Sequence, residues 1–253
     1  MDLDLASLFF GRSKSGLEKL PLLKRFDILG PTFRSQLFTK QFIVTSDARN
    51  IQAVFGSDAD SFGNGPLRHF AFSPLVGNGV MTLDGAAHEK ARAMIRPTFT
   101  KANLENVEAY DVHLNHFIKL VPRYGSTVDL QPLFEKLGLD SATEFIFGES
   151  VKSLTTDSMV DPDGFLGAFT RTQKGMAVRL RMPNFNFLHR DQGFWDSCRA
   201  LRGFVAESVE RALDRRAIRK GEAKTYILVD NLVKETQDMD VVQDALMNVF
   251  LPG

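Results

Sequence analysis

Apolar residues recur at helical spacing along most of this 253-residue chain, and that periodicity constrains the fold more than any other feature of the sequence. One stretch, residues 32–45, is instead rich in Phe, Thr, Ile and Val and alternates in part, which predicts a short β-hairpin turning near Thr39 and Lys40. We therefore expect a mainly α fold: an α-helical array with a small N-terminal β element. The predicted helices span residues 48–55, 85–96, 100–121, 130–147, 165–182, 191–216, 226–236 and 241–250.

Residues 57–80 break the helical pattern, because Gly, Pro and Phe punctuate them throughout. We predict a long apolar loop here, and long loops inside compact domains are usually functional. Within the chain as a whole, 22 Phe stand against 3 Tyr and 1 Trp. Because Phe is the aromatic residue without a polar group, this composition suits a large apolar interior or cavity.

Charge and cysteine content exclude several classes of function. The net charge is zero and the pI is near 7, which argues against a nucleic-acid partner. Cys198 is the single cysteine, so an internal disulfide and a multi-cysteine zinc or iron–sulfur site are excluded. At core spacing on a predicted helix, Cys198 is interpreted as a buried structural thiol. The apolar runs fall short of the roughly 18 residues that a membrane-spanning helix requires.

The segment LDGAAHEKARAMIRPTF (residues 83–99) carries a row of nitrogen donors on one helical face. Asp84 is placed to cap the helix and Pro97 to end it, while His88, Arg92 and Arg96 recur every four residues. One interpretation is a solvated basic face. The other is a clamp for a carboxylate or phosphate beside an apolar cavity, because guanidinium groups are forked donors suited to such anions.

Other candidate sites are weaker. His113 and His116 stand three residues apart on one predicted helix, but no third metal ligand is near, so we interpret them as a solvated pair and expect no metal site in this chain. The sequence contains no Gly-rich phosphate loop and no HExxH or GxSxG motif, which argues against a self-sufficient kinase or hydrolase.

Taken in order, three segments resemble the N-terminal half of a cytochrome P-450, a haem-thiolate monooxygenase. GVMTLDGAAHEKARAMIRPTF resembles helix C of that family, VDLQPLFEKLGLDSATEFIFGESV its helix D–E region, and YILVDNLVKETQDMDVVQDALMNVFLPG its approach to helix I. Within the family, the chain is most similar to fungal enzymes that hydroxylate n-alkanes and fatty acids. The resemblance implies a partial cytochrome P-450 fold, with residues 1–253 forming the N-terminal half of one catalytic domain.

The resemblance also implies roles for particular residues. His88 and Arg92 match the helix C motif whose two side chains donate to a haem propionate, and Arg96 is assigned a supporting role. His88 departs from the Trp that is usual in the fungal group. Residues bordering the substrate would include Phe70, Phe72, Val76 and Phe250. The cysteine thiolate that holds the iron would lie beyond Gly253, so no catalytic residue is expected in this chain.

For the complete enzyme, the resemblance implies hydroxylation of a long-chain alkyl substrate by haem, with electrons from NADPH through NADPH–cytochrome P-450 reductase. It implies an apolar small-molecule substrate and a place on the cytosolic face of the endoplasmic reticulum membrane, through an anchor that we expect to be absent here. We expect a truncated chain that is inactive alone. Two alternatives stay open: a non-catalytic helical module that binds an apolar carboxylate ligand, and a non-functional truncated product.

Overall fold

The structure, a computed structural model, describes residues 19–37, 40–100, 108–122, 124–155, 158, 161–182, 189–218 and 228–251. Helices make up most of these residues and the strands form one small hairpin, so the predicted mainly α fold is confirmed. The chain divides into two compact units, Met1–Gly63 and Asn64–Gly253.

The N-terminal unit contains the predicted hairpin. Strands β1 (Thr32–Leu37) and β2 (Lys40–Thr45) pair antiparallel, with Thr32 opposite Thr45 and Leu37 opposite Lys40. The predicted turn residue Thr39 lies outside the described residues. Helix α1 (Lys19–Leu29) precedes the hairpin, and helix α2 (Ala48–Gln52) follows it with a π-helical turn (Ala53–Ser57) and a 3-10 turn (Ala59–Ser61).

The larger unit begins with a helix where the sequence predicted a long loop. Helix α3 (Gly65–Val76) occupies half of the segment 57–80, so that prediction is wrong. The helix forms because the carboxylate of Asp84 accepts hydrogen bonds from the backbone N–H groups of Asn64 (2.5 Å) and Gly65 (2.7 Å), and a proline lies in its first turn.

Most of the other predicted helices are confirmed, with small shifts at their ends. One end is set locally: Gly148 closes the helix over 131–147 in a left-handed conformation with φ 70°. The helices are α4 (Gly85–Ile95) with a 3-10 turn (Arg96–Phe99), α5 (Glu108–Leu120), α6 (Gln131–Phe147), α7 (Pro162–Arg181), α8 (Gln192–Ile218), α9 (Leu228–Glu235) and α10 (Met239–Phe250).

Helix α5 buries only some of its apolar residues. Phe117 is buried and stacks on Phe134 of α6 at 4.8 Å between ring centroids, but Leu114 and Ile118 are about half exposed. The helix packs on α6 along the line of His113 and Phe117, which leaves the neighbouring positions in solvent. The predicted N-terminal part of this helix, residues 101–107, lies outside the described residues.

The core of the larger unit surrounds α8 and α10. Helix α8 packs against α3, α7, α9 and α10. Its inward residues include Leu201 and Cys198, and the burial of Cys198 was predicted from the sequence. Within the described part of the chain, no helix is both long enough and apolar enough to cross a membrane. The fully buried large side chains are Leu75, Val76, Ile146, Phe147, Phe194, Leu201, Val205, Leu228, Val229, Leu232, Leu246 and Met247.

Candidate functional site

Helix α4 carries the predicted row of donors. Asp84 occupies the position before its first turn, yet its side chain makes no capping bond to α4 because it caps α3 instead. His88 is half-buried, whereas Arg92 and Arg96 are exposed. Among the described residues, none accepts a hydrogen bond or an ion pair from these three side chains. Within the described part of the chain, these donors are therefore not engaged by other protein groups.

The chemistry of this row fits the carboxylates of a haem. Each guanidinium presents a planar fork of N–H donors, which matches the two oxygens of a propionate, and the imidazole adds one more donor on the same face. No carboxylate of the described chain competes for these donors. His88 and Arg92 are the residues that would hold the group, with Arg96 one further turn along.

A buried polar network fixes the turn that leads into α4. The amide of Asn248, on α10, accepts from the backbone N–H of Met81 at 2.9 Å and donates to the carbonyl of Val76 at 2.9 Å. One turn earlier on the same helix, Asp244 accepts from the backbone N–H of Asn78 at 2.8 Å and from the guanidinium of Arg202 at 2.9 Å. These bonds attach the 77–82 turn to α10.

Glycines at two positions of this turn make the contact possible. A Cβ at Gly77 would overlap the carboxylate of Asp244, and one at Gly79 would overlap the amide of Asn248. Gly77 also has a backbone φ of 62°, a conformation that residues with a side chain rarely adopt. Our sequence analysis missed this network. Its signal was present, since Asp244 and Asn248 stand four residues apart on an otherwise apolar helical face.

The residues expected to border a substrate lie in different surroundings. Val76 and Phe250 are buried in one apolar cluster, Phe72 packs half-buried against it, and Phe70 is 55% exposed on α3. The rings of Phe147, Phe165, Phe169 and Phe204 surround Phe250 at centroid separations of 6.0–6.4 Å. The structure thus places three of the four expected residues in or against one apolar cluster.

Arg179, near the end of α7, is a buried cation that the sequence did not reveal. Its guanidinium donates to the carbonyl of Phe70 at 2.6 Å and lies over the rings of Phe194 and Trp195, while its Nε has no acceptor. Burial lowers the pKa of Arg179. The side chain thereby holds α3 against α7 and α8, which positions the aromatic residues of α3.

The surroundings of Cys198 are not those of an iron ligand. It is 2% exposed in the middle of α8, and burial raises the pKa of its thiol to about 11, although Arg179, Arg202 and Arg199 act in the opposite direction. A thiolate ligand needs a low pKa and access to the metal. The interpretation of Cys198 as a buried structural thiol is confirmed.

The interpretation of His113 and His116 as a solvated pair is wrong for His113. That side chain is 5% exposed, and its Nε2 lies 2.5 Å from a carboxylate oxygen of Glu144 on α6. The bond ties α5 to α6. Among the described residues, no group of three or more His, Cys, Asp or Glu side chains could hold a metal ion.

Comparison with known proteins agrees with the resemblance seen in the sequence. Residues 11–248 match the sequence profile of the cytochrome P-450 family. Cytochrome P-450 52A5 of Candida maltosa is 35% identical over 247 residues, which cover 94% of this chain and 46% of that protein. Cytochrome P-450 52A13 of Debaryomyces hansenii is 34% identical over 238 residues, covering 90% and 46%.

A cytochrome P-450 monooxygenase of a Fusarium species is 33% identical over 253 residues, covering 92% of this chain and 44% of that protein. The chain therefore spans about half the length of the curated relatives that it matches. The profile match extends along nearly the whole chain and includes the α4 donor row and the α10 network. This chain belongs to the cytochrome P-450 family.

Proposed function

We propose that the complete protein is a haem-dependent monooxygenase that hydroxylates long-chain alkyl substrates, either n-alkanes or fatty acids. Residues 1–253 would form the N-terminal half of one catalytic domain. The observation that carries this proposal is the match of residues 11–248 to the cytochrome P-450 family, together with the unpaired donor row on α4. Family membership does not favour a non-catalytic binding module.

In this proposal, the N–H groups of His88 and Arg92 would donate hydrogen bonds to a haem propionate and so hold one edge of the cofactor. Arg96 adds positive charge one turn further along. Haem, when bound, supplies the oxygen chemistry of the family, with electrons from NADPH delivered by NADPH–cytochrome P-450 reductase. The protein contributes binding, orientation and exclusion of water.

The hydrogen bonds that Asn248 and Asp244 of α10 form with the 77–82 turn would support the contact between His88 and the propionate. Asn248 and Asp244 hold the 77–82 turn, and α4 begins three residues after the turn. A turn that is fixed by buried bonds restricts where α4 starts and therefore where His88 lies. Supporting bonds of this kind typically determine whether a binding side chain keeps its productive orientation.

The substrate class rests on the resemblance to the fungal alkane- and fatty-acid-hydroxylating group. The apolar cluster around Val76 and Phe250, with Phe72 against it and Phe70 at its edge, suits an alkyl chain. We also propose the reductase as the redox partner and the cytosolic face of the endoplasmic reticulum membrane as the location of the complete protein.

The experiment is to express the complete protein that contains this sequence together with a cytochrome P-450 reductase. Purified enzyme is incubated with NADPH and, separately, with palmitate or hexadecane, and the products are analysed by mass spectrometry. We expect one oxygen atom to be added to the alkyl chain, in amounts that depend on the reductase. If the enzyme shows the carbon monoxide difference band of a thiolate-bound haem but oxidises neither compound, the substrate class is wrong. If the band is absent, the proposal of a haem-dependent activity is wrong as well.

A further inference from the structure

A proline interrupts the hydrogen bonding of helix α3 near its end. Pro74 lies inside the helix, which spans Gly65–Val76, and proline has no backbone N–H. The carbonyl of Phe70, four residues before Pro74, therefore lacks the donor that an α-helix normally provides. Helix α3 packs against α7, and a carbonyl that is shielded from water by such a contact is nearly always paired. This carbonyl thus needs a donor from another segment.

The guanidinium of Arg179 on α7 supplies that donor. Its Nη2 donates to the carbonyl of Phe70 at 2.6 Å, across 109 positions of sequence. The side chain of Arg179 is 7% exposed, and its guanidinium carbon lies 5.8 Å and 5.2 Å from the ring centroids of Phe194 and Trp195 on α8. Aromatic faces attract a guanidinium, so the two rings help to hold the donor at the carbonyl.

Arg179 has no carboxylate partner among the residues that the structure describes. Its Nε also has no acceptor. Burying a cation costs free energy unless the cation is paired or hydrogen-bonded. In the described part of the chain, the carbonyl that Pro74 leaves without a donor is the acceptor that this guanidinium uses.

The two ends of α3 are also held by side chains from outside the helix. Asp84 accepts from the backbone N–H groups at its start, and the guanidinium of Arg202 on α8 donates to the carbonyl of Leu75 at 3.1 Å near its end. The position of α3 thus depends on contacts with other segments. Since Phe70 and Phe72 lie between those ends, the bond from Arg179 is the contact that acts directly on the part of α3 that carries them.

We propose that Arg179 is a positioning residue for the substrate, because it replaces the hydrogen bond that Pro74 removes and so fixes the part of α3 that carries Phe70 and Phe72. This role rests on the proposed monooxygenase function, in which those two side chains border the alkyl chain. Arg179 would not touch the substrate itself. Its loss should change how tightly, and in which register, the alkyl chain lies, and should leave haem binding unchanged.

A pair of substitutions isolates the bond to the carbonyl. Arg179→Met removes the donor and the charge but keeps a long, flexible side chain that can pack on the two aromatic rings, so we expect the variant to fold. Pro74→Ala adds an N–H that can donate to the carbonyl of Phe70 within the helix. In the double variant, the carbonyl therefore has a donor without Arg179. Lys174→Met, which removes an exposed cation from the same helix, is the control.

The test uses the complete, haem-loaded protein with its reductase. KM for palmitate and the distribution of hydroxylated positions are measured, because neither depends on the fraction of enzyme that is folded. We expect Arg179→Met to raise KM several-fold and to spread hydroxylation over more positions, with a smaller change in kcat and an unchanged haem content. Pro74→Ala and Lys174→Met should resemble the wild type, and the double variant should return most of the way to wild-type values, since the two sites are coupled through one carbonyl.

Hydrogen exchange of the backbone amides of α3 provides a second measurement, which needs no substrate. Exchange should be faster in Arg179→Met than in the wild type and should slow again in the double variant, because local opening of a helix depends on the contacts that hold it.

The outcomes separate this role from the proposed function. A wild-type KM and product distribution in Arg179→Met would show that Arg179 does not position the substrate. A double variant as impaired as Arg179→Met would show that its effect does not pass through the carbonyl of Phe70, which contradicts the role as well. If the wild type oxidises neither palmitate nor hexadecane, the proposed substrate class is wrong. Equal exchange of α3 in the wild type and Arg179→Met would then overturn the restraint on the helix separately.

Discussion

The side-chain amide of Asn248 accepts a hydrogen bond from the backbone N–H of Met81 at 2.9 Å, across 167 positions of sequence. The same amide donates to the carbonyl of Val76 and to the carbonyl of Asp244, and Asn248 is 5% exposed. Helix α10 thus satisfies backbone groups of the turn that precedes α4. Together with Asp244, this side chain therefore helps to place a distant helix.

Asn248→Ala should therefore destabilise the complete protein. The substitution leaves the N–H of Met81 and the carbonyl of Val76 buried without their partner, at a cost of roughly 1–3 kcal/mol in the free energy of unfolding. Urea denaturation followed by circular dichroism measures this cost. Asn115→Ala, at an exposed position of α5, serves as the control and should be nearly neutral. Equal midpoints for the two variants would show that the network contributes nothing.

Two glycine substitutions should act in opposite directions. Gly79→Ala introduces a Cβ into the space of the Asn248 amide, and we expect a loss of about 1–3 kcal/mol, as for other insertions into well-packed sites. Gly138→Ala, on an exposed face of α6 with open space around its Cβ, should gain roughly 0.5–1 kcal/mol through helix propensity. Thermal unfolding of the two variants compares them directly, and a stabilising Gly79→Ala would contradict the close approach described here.

Much of the helical framework could be predicted from sequence because its signals are local. The end of α6 at Gly148 needs only a glycine after an apolar helical segment, and the Asp47 side chain caps α2 from two residues away. Helix α3 was missed because its first N–H groups are capped by Asp84, about twenty positions later in the chain. A pattern of Gly, Pro and Phe cannot reveal a cap that only the folded chain brings into place.

The same distinction applies to the candidate site. The row of His88, Arg92 and Arg96 could be predicted, since a spacing of four places side chains on one face of a single helix. The bond from Met81 to Asn248 and the contact of Arg179 with Phe70 join segments more than a hundred residues apart. Such contacts depend on how helices pack, which periodicity does not specify.

Arg92→Ala should weaken the retention of haem by the complete protein. The substitution would remove the charged hydrogen bonds that we propose to a propionate, which corresponds to roughly 1.5–3 kcal/mol. Transfer of haem to excess apomyoglobin measures the dissociation rate, and we expect it to rise about tenfold or more, since each 1.4 kcal/mol is a factor of ten. Lys90→Ala on the same helix is the control, because Lys90 lies outside the predicted row. Unchanged haem loss in Arg92→Ala would remove this residue from the site.

Cys198 should resist alkylation in the folded protein at any pH below about 10. Burial in the middle of α8 raises the pKa of its thiol from an ordinary value of 9.0 to about 11, so the reactive thiolate is scarce at neutral pH and the sulfur is inaccessible as well. The same shift makes the stability of the folded protein depend on pH. Because the pKa is raised in the folded state, the contribution of the neutral thiol to the free energy of unfolding is fully present below pH 9 and is lost as the pH rises through about 11.

Iodoacetamide labelling with peptide mapping, in the absence and presence of urea, tests the expected resistance to alkylation. The peptide that contains Cys198 should be labelled only when the protein unfolds. Cys198→Ala, which has no ionisable group at this position, should lose less stability than the wild type between pH 9 and pH 10.5. Rapid labelling of Cys198 under native conditions at pH 8 would contradict its burial and would reopen the question of a functional role for this thiol.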